Sequence, residues 1–326
     1  MTTRKGPMMP ASQTESDNML VVAAKDIVAD ALVALELVRA DGGRLPDWTP
    51  GAHIDVVLGD GIVRQYSLCG DPFDSHRYRV AVLREQDSRG GSRYIHDSLE
   101  VGDRVGFGGP RNNFALVPAP RYSFIAGGVG ITPVLPMLRM ADQIGTEWRL
   151  LYLGRSRRSM AFLDDLTGDD RIDVHAADER GRADLAAWIR EADSDSKIYV
   201  CGPSRLLDAL EETTRDRRPG WVRMERFTAR AQEAPARTTA FDVELRASGL
   251  VVTVPPEATI ADSIRAAGVK LLTSCSKGVC GTCEATVISG EPDHRDSLLT
   301  DAEREINDCM FPCVSRSRSD RLVLDL

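Results

Sequence analysis

The 326-residue sequence has no run of about 18 apolar residues, which is the length that a bilayer-spanning helix requires. No apolar stretch directly follows the positive charges of its first residues, so a secretory signal is not predicted. Excess positive charge is also missing, and the formal net charge of −8 argues against binding to nucleic acid or to an anionic membrane surface. Together these absences predict a cytoplasmic protein.

Cysteines are few outside one segment, because five of the seven fall between Cys275 and Cys313. In a reducing compartment such thiols are expected to serve as ligands, catalytic groups or core residues rather than disulfides. The spacing of Cys275, Cys280 and Cys283 is C-x4-C-x2-C, and Cys313 follows after 29 residues. This is the plant-type arrangement of a [2Fe–2S] cluster, with three thiolates on one loop and a distant fourth.

A structural zinc site is the competing interpretation of these cysteines. Such sites use two short Cys pairs or mixtures of Cys and His, and the loop CSKGVCGTC contains no His. Gly278 and Gly281 in this loop let the backbone wrap tightly and direct N–H groups at cluster sulfurs. Cys309, four residues before Cys313, is interpreted as a buried thiol rather than a ligand.

Three structural units are predicted from the way the sequence pattern changes along the chain. After a disordered tail over 1–18, residues 19–118 alternate in short strands separated by Gly, Asp and Pro, which predicts an antiparallel β-barrel. Over 119–228, strands alternate with helices, which predicts an α/β unit with a parallel sheet. A linker over 229–239 leads to a β-grasp unit over 240–326, where 14 Asp and Glu face 9 Lys and Arg.

A flavin site is predicted on the barrel strand RQYSL. Arg64, Tyr66 and Ser67 can supply a phosphate-binding cation, an aromatic ring for the flavin and a hydroxyl near flavin N5. An ordinary amphipathic strand would also explain these residues. The segment Arg89–Ser92 (RGGS) stands before a predicted helix, where N–H groups favour a phosphate, although a glycine-rich turn with a Ser cap is the alternative.

A nicotinamide site is predicted where GGVGITP (Gly127–Pro133) joins a strand to a helix. Glycines there allow a pyrophosphate to approach the backbone, although the G-x-G-x-x-G fingerprint is absent. The CGP turn at Cys201–Pro203 ends another strand, at the edge where parallel sheets bind ligands. The Cys201 thiol can contact the nicotinamide there, and a buried core thiol is the alternative.

The order of RQYSL, RGGS, GGVGITP, CGP and CSKGVCGTC…PCVSR resembles that of the phthalate dioxygenase reductase family, from about residue 19 onward. Members that resemble this chain place the ferredoxin unit last and use FMN, whereas relatives with an N-terminal ferredoxin generally use FAD. The resemblance therefore implies FMN, NADH and one [2Fe–2S] cluster held by Cys275, Cys280, Cys283 and Cys313.

Carried over position by position, the resemblance also implies roles for individual residues. The flavin ring and its tail would be held by Arg64, Tyr66 and Ser67. The FMN phosphate would be anchored by Arg89, Gly90, Gly91 and Ser92. The nicotinamide and pyrophosphate would be lined by Gly128, Gly130, Thr132 and Pro133, with Cys201, Gly202 and Pro203 opposite. Ser67 and Cys201 would stand at the reacting atoms, and Phe227 would lie near the flavin or simply pack in the core.

Three arginines in GRSRRS leave the nicotinamide specificity open. Arg155, Arg157 and Arg158 follow the second strand of the α/β unit, where NADPH enzymes bind the 2′-phosphate. Asp178 is a candidate acidic partner for the ribose hydroxyls of NADH. The family commonly has GRS at this point while using NADH, so NADH is expected.

The predicted function is that of an NADH-dependent oxidoreductase which passes electrons from NADH to FMN, then to the [2Fe–2S] cluster and on to a partner oxygenase. A Rieske-type aromatic oxygenase or demethylase is the expected partner, and a cytochrome P450 is the second. The chain is expected to be monomeric. Two alternatives are a non-catalytic iron–sulfur sensor or binding module, and a reductase of free flavin or ferric iron.

Overall fold

The computed structural model describes residues 18–86, 90–192, 195–218, 220–230, 232 and 234–326. Residues 1–17 of the predicted tail and Arg89 of the RGGS segment lie outside the described residues. Three sheets of five or six strands and one short two-stranded ladder make up the described chain.

The first unit is an antiparallel six-stranded sheet in the order β4-β3-β6-β1-β2-β5. A bridge from Leu68 to Val80 joins the two outer strands, so the sheet closes into a barrel. Alternating side chains of these strands fill the barrel interior, among them Leu35, Ile54 and Val80. The elements are β1 (Met19–Ala29), β2 (Leu32–Val38), β3 (His53–Val57), β4 (Val63–Ser67), β5 (Arg77–Leu83), α1 (Gly91–Asp97) and β6 (Arg104–Arg111).

The second unit is an all-parallel sheet in the order β11-β10-β7-β8-β9. Its central strand β7 is buried along nearly its whole length, as expected for a strand covered on both faces. The elements are β7 (Arg121–Gly127), α2 (Ile131–Gln143), β8 (Glu147–Gly154), α3 (Leu163–Leu166), β9 (Ile172–Ala176), α4 (Ala177–Arg180), α5 (Leu185–Arg190), β10 (Ser196–Cys201), α6 (Ser204–Thr214) and β11 (Val222–Glu225).

The barrel and the parallel sheet share one apolar core. A single buried cluster contains Cys69 and Phe114 from the barrel side together with Phe124 and Tyr199 from the sheet. The Tyr199 hydroxyl donates to the carbonyl of Ala115 at 3.1 Å, and the N–H of Val117 donates to it at 2.7 Å. These bonds hold β10 against the segment that leads from the barrel strand β6 to β7.

The third unit is a mixed five-stranded sheet in the order β13-β12-β18-β14-β16. Its helix α7 begins at the N-cap Thr259 and packs Ile260 and Ile264 against the sheet residues Val243 and Leu245. The multidomain fold of barrel, parallel sheet and β-grasp is as predicted. The elements are β12 (Phe241–Leu245), β13 (Leu250–Val254), α7 (Ile260–Ala266), β14 (Ala285–Ser289), β15 (Pro292–Asp293), α8 (Asp301–Ile306), β16 (Cys309–Met310), β17 (Arg316–Ser317) and β18 (Arg321–Leu324).

The segment predicted as a linker contains no helix or strand among its described residues. It nevertheless lies against the third unit through hydrogen bonds. The N–H of Arg230 donates to Ser297 Oγ at 3.0 Å, and Gln232 Nε2 donates to the carbonyl of Arg295 at 3.0 Å. The N–H of Ala236 donates to an Asp293 carboxylate oxygen at 3.0 Å.

Candidate functional site

Four cysteine side chains converge at one end of the β-grasp unit. The thiols of Cys275 and Cys280 are in hydrogen-bonding contact, and so are those of Cys283 and Cys313. A contact between Cys313 and Cys275 joins the two pairs. The sequence prediction placed these four residues together as ligands, and the fold does bring their sulfur atoms together.

The loop around these sulfurs is shaped for an anionic, multi-iron group. The N–H of Lys277 donates to Cys275 Sγ at 3.3 Å, and the backbone of Gly278 contacts the Cys313 thiol. Gly278 has φ +66°, and a Cβ there would lie 2.6 Å from Val314 Cγ2, so only glycine fits without strain. Sulfur ligands in two pairs with backbone donors around them match the chemistry of a [2Fe–2S] cluster.

No group of three His, Cys, Asp or Glu side chains in the described part of the chain is arranged to hold a single metal ion. Cys309 lies on β16 and is only partly buried, whereas it had been predicted as a buried thiol. Both residues of β16 pair with β14, so Cys309 belongs to the sheet rather than to the cysteine loop.

The two predicted flavin segments meet at the start of α1. A Cβ at Gly91 would lie 2.6 Å from Arg64 Cγ and 2.7 Å from its Nε, so the arginine stem lies directly against the glycine backbone. Gly90 adopts φ +94°, a conformation that favours glycine. The arrangement places the Arg64 cation beside the backbone of the first helical turn, which suits a phosphate.

The other predicted flavin residues lie around this point. Burial raises the pKa of the Tyr66 hydroxyl, and the side chain packs against the barrel core. Ser92 Oγ accepts a hydrogen bond from the N–H of Glu85 at 3.3 Å. Ser67 is buried at the end of β4, paired across the strands with His53. Arg64 and Tyr66 thus lie on one face of β4, while Ser67, the next residue along, lies on the opposite face.

The two predicted nicotinamide turns are in van der Waals contact. A Cβ at Gly130 would come within 2.3 Å of the Cys201 carbonyl oxygen, and one at Gly127 within 2.8 Å of Pro203 Cδ. The strands that carry these turns, β7 and β10, are parallel neighbours, so both turns lie at the same edge of the sheet. This is the edge at which ligands bind in open α/β sheets.

The turn GGVGITP between β7 and α2 has an accessible backbone at its start and buried side chains at its end. Gly128 has φ +55° and open space where a Cβ would stand, so a ligand can approach its backbone. The Thr132 hydroxyl donates to the carbonyl of Val129 at 2.9 Å, and both Thr132 and Pro133 are buried in α2. Thr132 and Pro133 therefore shape the turn and helix rather than line its open side.

Sequence reasoning missed an acidic partner of Cys201. Glu225 lies opposite Cys201 in the register of β10 and β11, and its carboxylate stands 3.8 Å from Cys201 Sγ. Desolvation raises the pKa of Glu225 to about 8, and burial raises the pKa of the Cys201 thiol well above its usual value. The motif MERF held a signal, because Glu225 closes a strand beside the one that carries CGP. Phe227, two residues on, is 40 % exposed and available for contact.

The arginines after β8 are partly engaged by acids. Arg157 Nε lies 3.1 Å and 3.2 Å from the two carboxylate oxygens of Glu179, which sits in α4 after β9. Arg158 Nε lies 3.5 Å from an oxygen of Asp30. The N–H of Asp178 donates to the carbonyl of Arg155 at 3.0 Å. Acid and base therefore alternate along this edge of the parallel sheet.

The cysteine loop lies against the barrel strand that carries the flavin residues, which the sequence did not predict. Asn113 Nδ2 donates to the carbonyl of Cys280 at 2.9 Å, and Ser274 Oγ donates to Asp55 Oδ1 at 2.7 Å. Gln65, between Arg64 and Tyr66, contacts the Cys280 thiol.

No helix in the described chain is long and apolar enough to span a membrane.

Comparison with known proteins agrees with this arrangement. The family model for 2Fe–2S iron–sulfur cluster binding domains matches residues 243–318. The chain is 41 % identical over 98 % of its length to phenoxybenzoate dioxygenase subunit beta of Ectopseudomonas oleovorans, all of which is covered. It is 38 % identical over 94 % of its length to a vanillate O-demethylase oxidoreductase of a Pseudomonas species, of which 99 % is covered.

Solved structures extend the comparison to three dimensions. Phthalate dioxygenase reductase matches 94 % of this chain and 97 % of its own, with 36 % identity and a TM-score of 0.68. A type IV self-sufficient cytochrome P450 monooxygenase matches 99 % of this chain, with 40 % identity and a TM-score of 0.89. This chain spans 43 % of that P450 chain. The chain thus belongs to the phthalate dioxygenase reductase family, oxidoreductases that carry electrons from a nicotinamide through FMN and a [2Fe–2S] cluster to an oxygenase.

Proposed function

We propose that this chain is the reductase component of a two-protein oxygenase system, with separate sets of side chains for the flavin, the nicotinamide and the iron–sulfur cluster. The observation that carries the proposal is the contact between the flavin strand and the cysteine loop. Cys280 contacts Gln65, whose chain neighbours are Arg64 and Tyr66. Donor and acceptor sites in such contact allow direct electron transfer within one chain.

The flavin site would be built from one face of the barrel and the start of α1. Arg64 and the N–H groups after Gly90 would bind the FMN phosphate, and Arg89, outside the described residues, would add a second cation. Tyr66 would pack on the ring system. Ser67 would place its hydroxyl at the reacting nitrogen. The proposal is supported by the close approach of Arg64 to Gly91.

The nicotinamide site would be formed by the two touching turns at the carboxyl ends of β7 and β10. Gly128 and Gly130 would admit the pyrophosphate, while Thr132 and Pro133 would hold the shape of the turn. Cys201, Gly202 and Pro203 would face the nicotinamide ring from the other side, with Phe227 near the flavin. Their mutual contact supports this assignment.

The cysteine loop would hold the cluster through Cys275, Cys280, Cys283 and Cys313. When bound, FMN accepts two electrons together from NADH and releases them singly, which is what a [2Fe–2S] cluster requires. The backbone N–H groups near Lys277 and Gly278 would offset the negative charge that each added electron brings. The apolar residues around Cys283 and Cys313, including Phe311, would exclude water from that side.

The partner would be a terminal oxygenase, with a Rieske-type aromatic oxygenase or demethylase ahead of a cytochrome P450. The vanillate and phenoxybenzoate relatives are named for systems of the first kind, while the P450 neighbour carries its oxygenase in the same chain. We also expect unit boundaries near 118, 228 and 240, and a monomeric state. We expect a reducing cytoplasmic setting as well, because all seven cysteines are free of disulfides.

Anaerobic titration of the purified protein with slightly less than one equivalent of NADH tests the proposal. The visible flavin and iron–sulfur bands should both bleach. A protein without flavin, or one indifferent to NADH, would instead be an iron–sulfur binding module. If Cys275→Ser kept full electron delivery to the partner oxygenase, the physiological route would bypass the cluster, as in a free-flavin or ferric reductase.

A further inference from the structure

Asp55 connects three parts of the molecule at the edge of the cysteine loop. The carboxylate is buried. It forms an ion pair with Arg111 of the barrel strand β6, with 2.6 Å between Asp55 Oδ2 and Arg111 Nη2. Gln65 Nε2 donates to Asp55 Oδ1 at 3.0 Å, and Ser274 Oγ donates to the same oxygen at 2.7 Å. One carboxylate therefore orients a side chain of the flavin strand and the residue immediately before Cys275.

The other end of the loop is held by Asn113, which follows β6. Its amide donates to the carbonyl of Cys280 at 2.9 Å. A Cβ at Gly281 would lie 2.6 Å from Asn113 Nδ2, so the loop backbone rests against this side chain. Contacts at Ser274 and at Cys280 together fix the loop on the barrel at two points.

Gln65 stands between these two points and faces the loop. Neighbouring side chains of a strand point to opposite faces, so Arg64 and Tyr66 share a face that Gln65 does not. Arg64 lies against Gly91 and Tyr66 against the barrel core, whereas Gln65 contacts Asp55 and the Cys280 thiol. Strand β4 thus presents Arg64 and Tyr66 on one side and the sulfur contact of Gln65 on the other.

We infer that Gln65 is a positioning residue for the cluster: its amide, oriented by Asp55, donates a hydrogen bond to the Cys280 sulfur and sets the reduction potential of the cluster against that of the flavin. The inference rests on the cofactor sites proposed above. It assigns a role to Gln65, the residue of RQYS to which the proposed flavin site gives none.

The chemistry behind this role is the response of a cluster to its outer contacts. Hydrogen bonds to a cysteinate sulfur stabilise the reduced, more negative cluster and so raise its reduction potential. Asp55 accepts from Gln65 Nε2, which fixes the direction of the amide. The Gln65 amide would therefore make the bound cluster a stronger electron acceptor, and its removal would make the cluster a weaker one.

The test is an EPR-monitored redox titration of the holoprotein carrying Gln65→Leu, which keeps the side-chain size and removes the amide. We expect a more negative cluster potential, an altered EPR signature and an unchanged flavin potential. Stopped-flow spectroscopy should show normal flavin reduction by NADH, followed by cluster reduction slower by about ten- to a hundredfold, the usual cost of removing an outer partner of a metal ligand.

Two further variants keep the test decisive. Gln65→Asn retains the amide but is one methylene shorter, and it should shift the potential in the same direction even if the Leu variant folds poorly. Gln232→Leu is the matched control, because Gln232 also bridges to the β-grasp unit, at Arg295 and away from the sulfurs. An unchanged cluster potential in both Gln65 variants, or an equal shift in Gln232→Leu or in the flavin, would overturn the inference. Failure of the wild type to bind FMN or react with NADH would instead refute the proposed function.

Discussion

Gly130 lies directly beneath the carbonyl group of Cys201, so close that a single methyl group at position 130 would come within 2.3 Å of the carbonyl oxygen. The backbone of Gly130 itself has an ordinary helical φ of −63°, so conformational freedom does not explain the glycine. Close approach between the two nicotinamide turns does. The contact joins the carboxyl ends of β7 and β10 and determines how wide the site between them is.

Gly130→Ala should therefore separate the two turns. Overpacking of this kind costs about 1–3 kcal/mol, so the melting temperature should fall, and the KM for NADH should rise while the FMN content remains normal. Gly59→Ala is the matched control, because the nearest atom to its Cβ would be 3.9 Å away. Unchanged melting and KM in Gly130→Ala would show that the turns do not need this contact.

Arg64→Gln should weaken FMN binding. A hydrogen bond to a charged group contributes about 1.5–3 kcal/mol, which corresponds to roughly a ten- to hundredfold loss of affinity. The measurement is the flavin-to-protein ratio after dialysis, with Arg84→Gln as the control, since Arg84 forms an exposed pair with Asp97 at 2.9 Å. Equal flavin retention in both variants would argue against a phosphate contact for Arg64.

Glu225→Gln should change how stability depends on pH. Because the folded-state pKa is raised from 4.5 to about 8, the folded protein retains a proton that the unfolded chain has lost. This contribution to wild-type stability decreases as pH rises from about 4.5 to about 8 and then levels off. The variant cannot ionise at this position, so its melting temperature relative to wild type should rise over that interval.

The control for this experiment is Glu147→Gln, which replaces an exposed carboxylate at the start of β8. Its melting temperature relative to wild type should stay level over the same pH range. If Glu225→Gln also gave a level difference, the Glu225 carboxyl would titrate alike in the folded and unfolded states.

Glu179→Gln should shift nicotinamide preference toward NADPH. Release of Arg157 from its carboxylate partner frees a cation at the sheet edge where a 2′-phosphate binds. An exposed pair of this kind is worth about 0.2–1 kcal/mol, so the ratio of kcat/KM for NADPH to that for NADH should rise by about 1.4- to fivefold. Glu191→Gln, which removes the carboxylate partner of Arg149 elsewhere in the same unit, should leave the ratio unchanged.

Cys309→Ser should retain the iron–sulfur cluster, and Cys275→Ser should lose it. Cys309 lies on β16, whereas Cys275 belongs to the group of four contacting thiols. Iron content and the visible spectrum measure the difference directly. A Cys309→Ser protein without cluster would mean that the ligand set had been assigned to the wrong C-terminal cysteine.

Much of the fold could be predicted because its signals are local. The segments that form β1 to β6 are short, have an alternating sequence pattern and are bounded by turn residues, so the sequence predicts strands there. The helix α2 follows a glycine-rich turn, which also marks it in the sequence. Strand β11 carries a weaker local signal, because Val222–Glu225 is four residues long and only partly buried. The signal of strand β14 is weak for a similar reason, since most of its side chains are exposed or partly exposed.

The sequence by itself determined the [2Fe–2S] ligand pattern and the candidate phosphate-binding turns of this protein, while its resemblance to a family implied FMN and NADH. The cysteine spacing within one loop and the glycines within one turn are local in the covalent chain, so they can be recognised without knowing any long-range contact. Only the tertiary structure decided how the sites face one another. Asp55 and Ser274 stand 219 residues apart, and the contact of Gln65 with Cys280 joins a barrel strand to a distant loop. No local pattern encodes such pairs, because they arise only when the three sheets pack together.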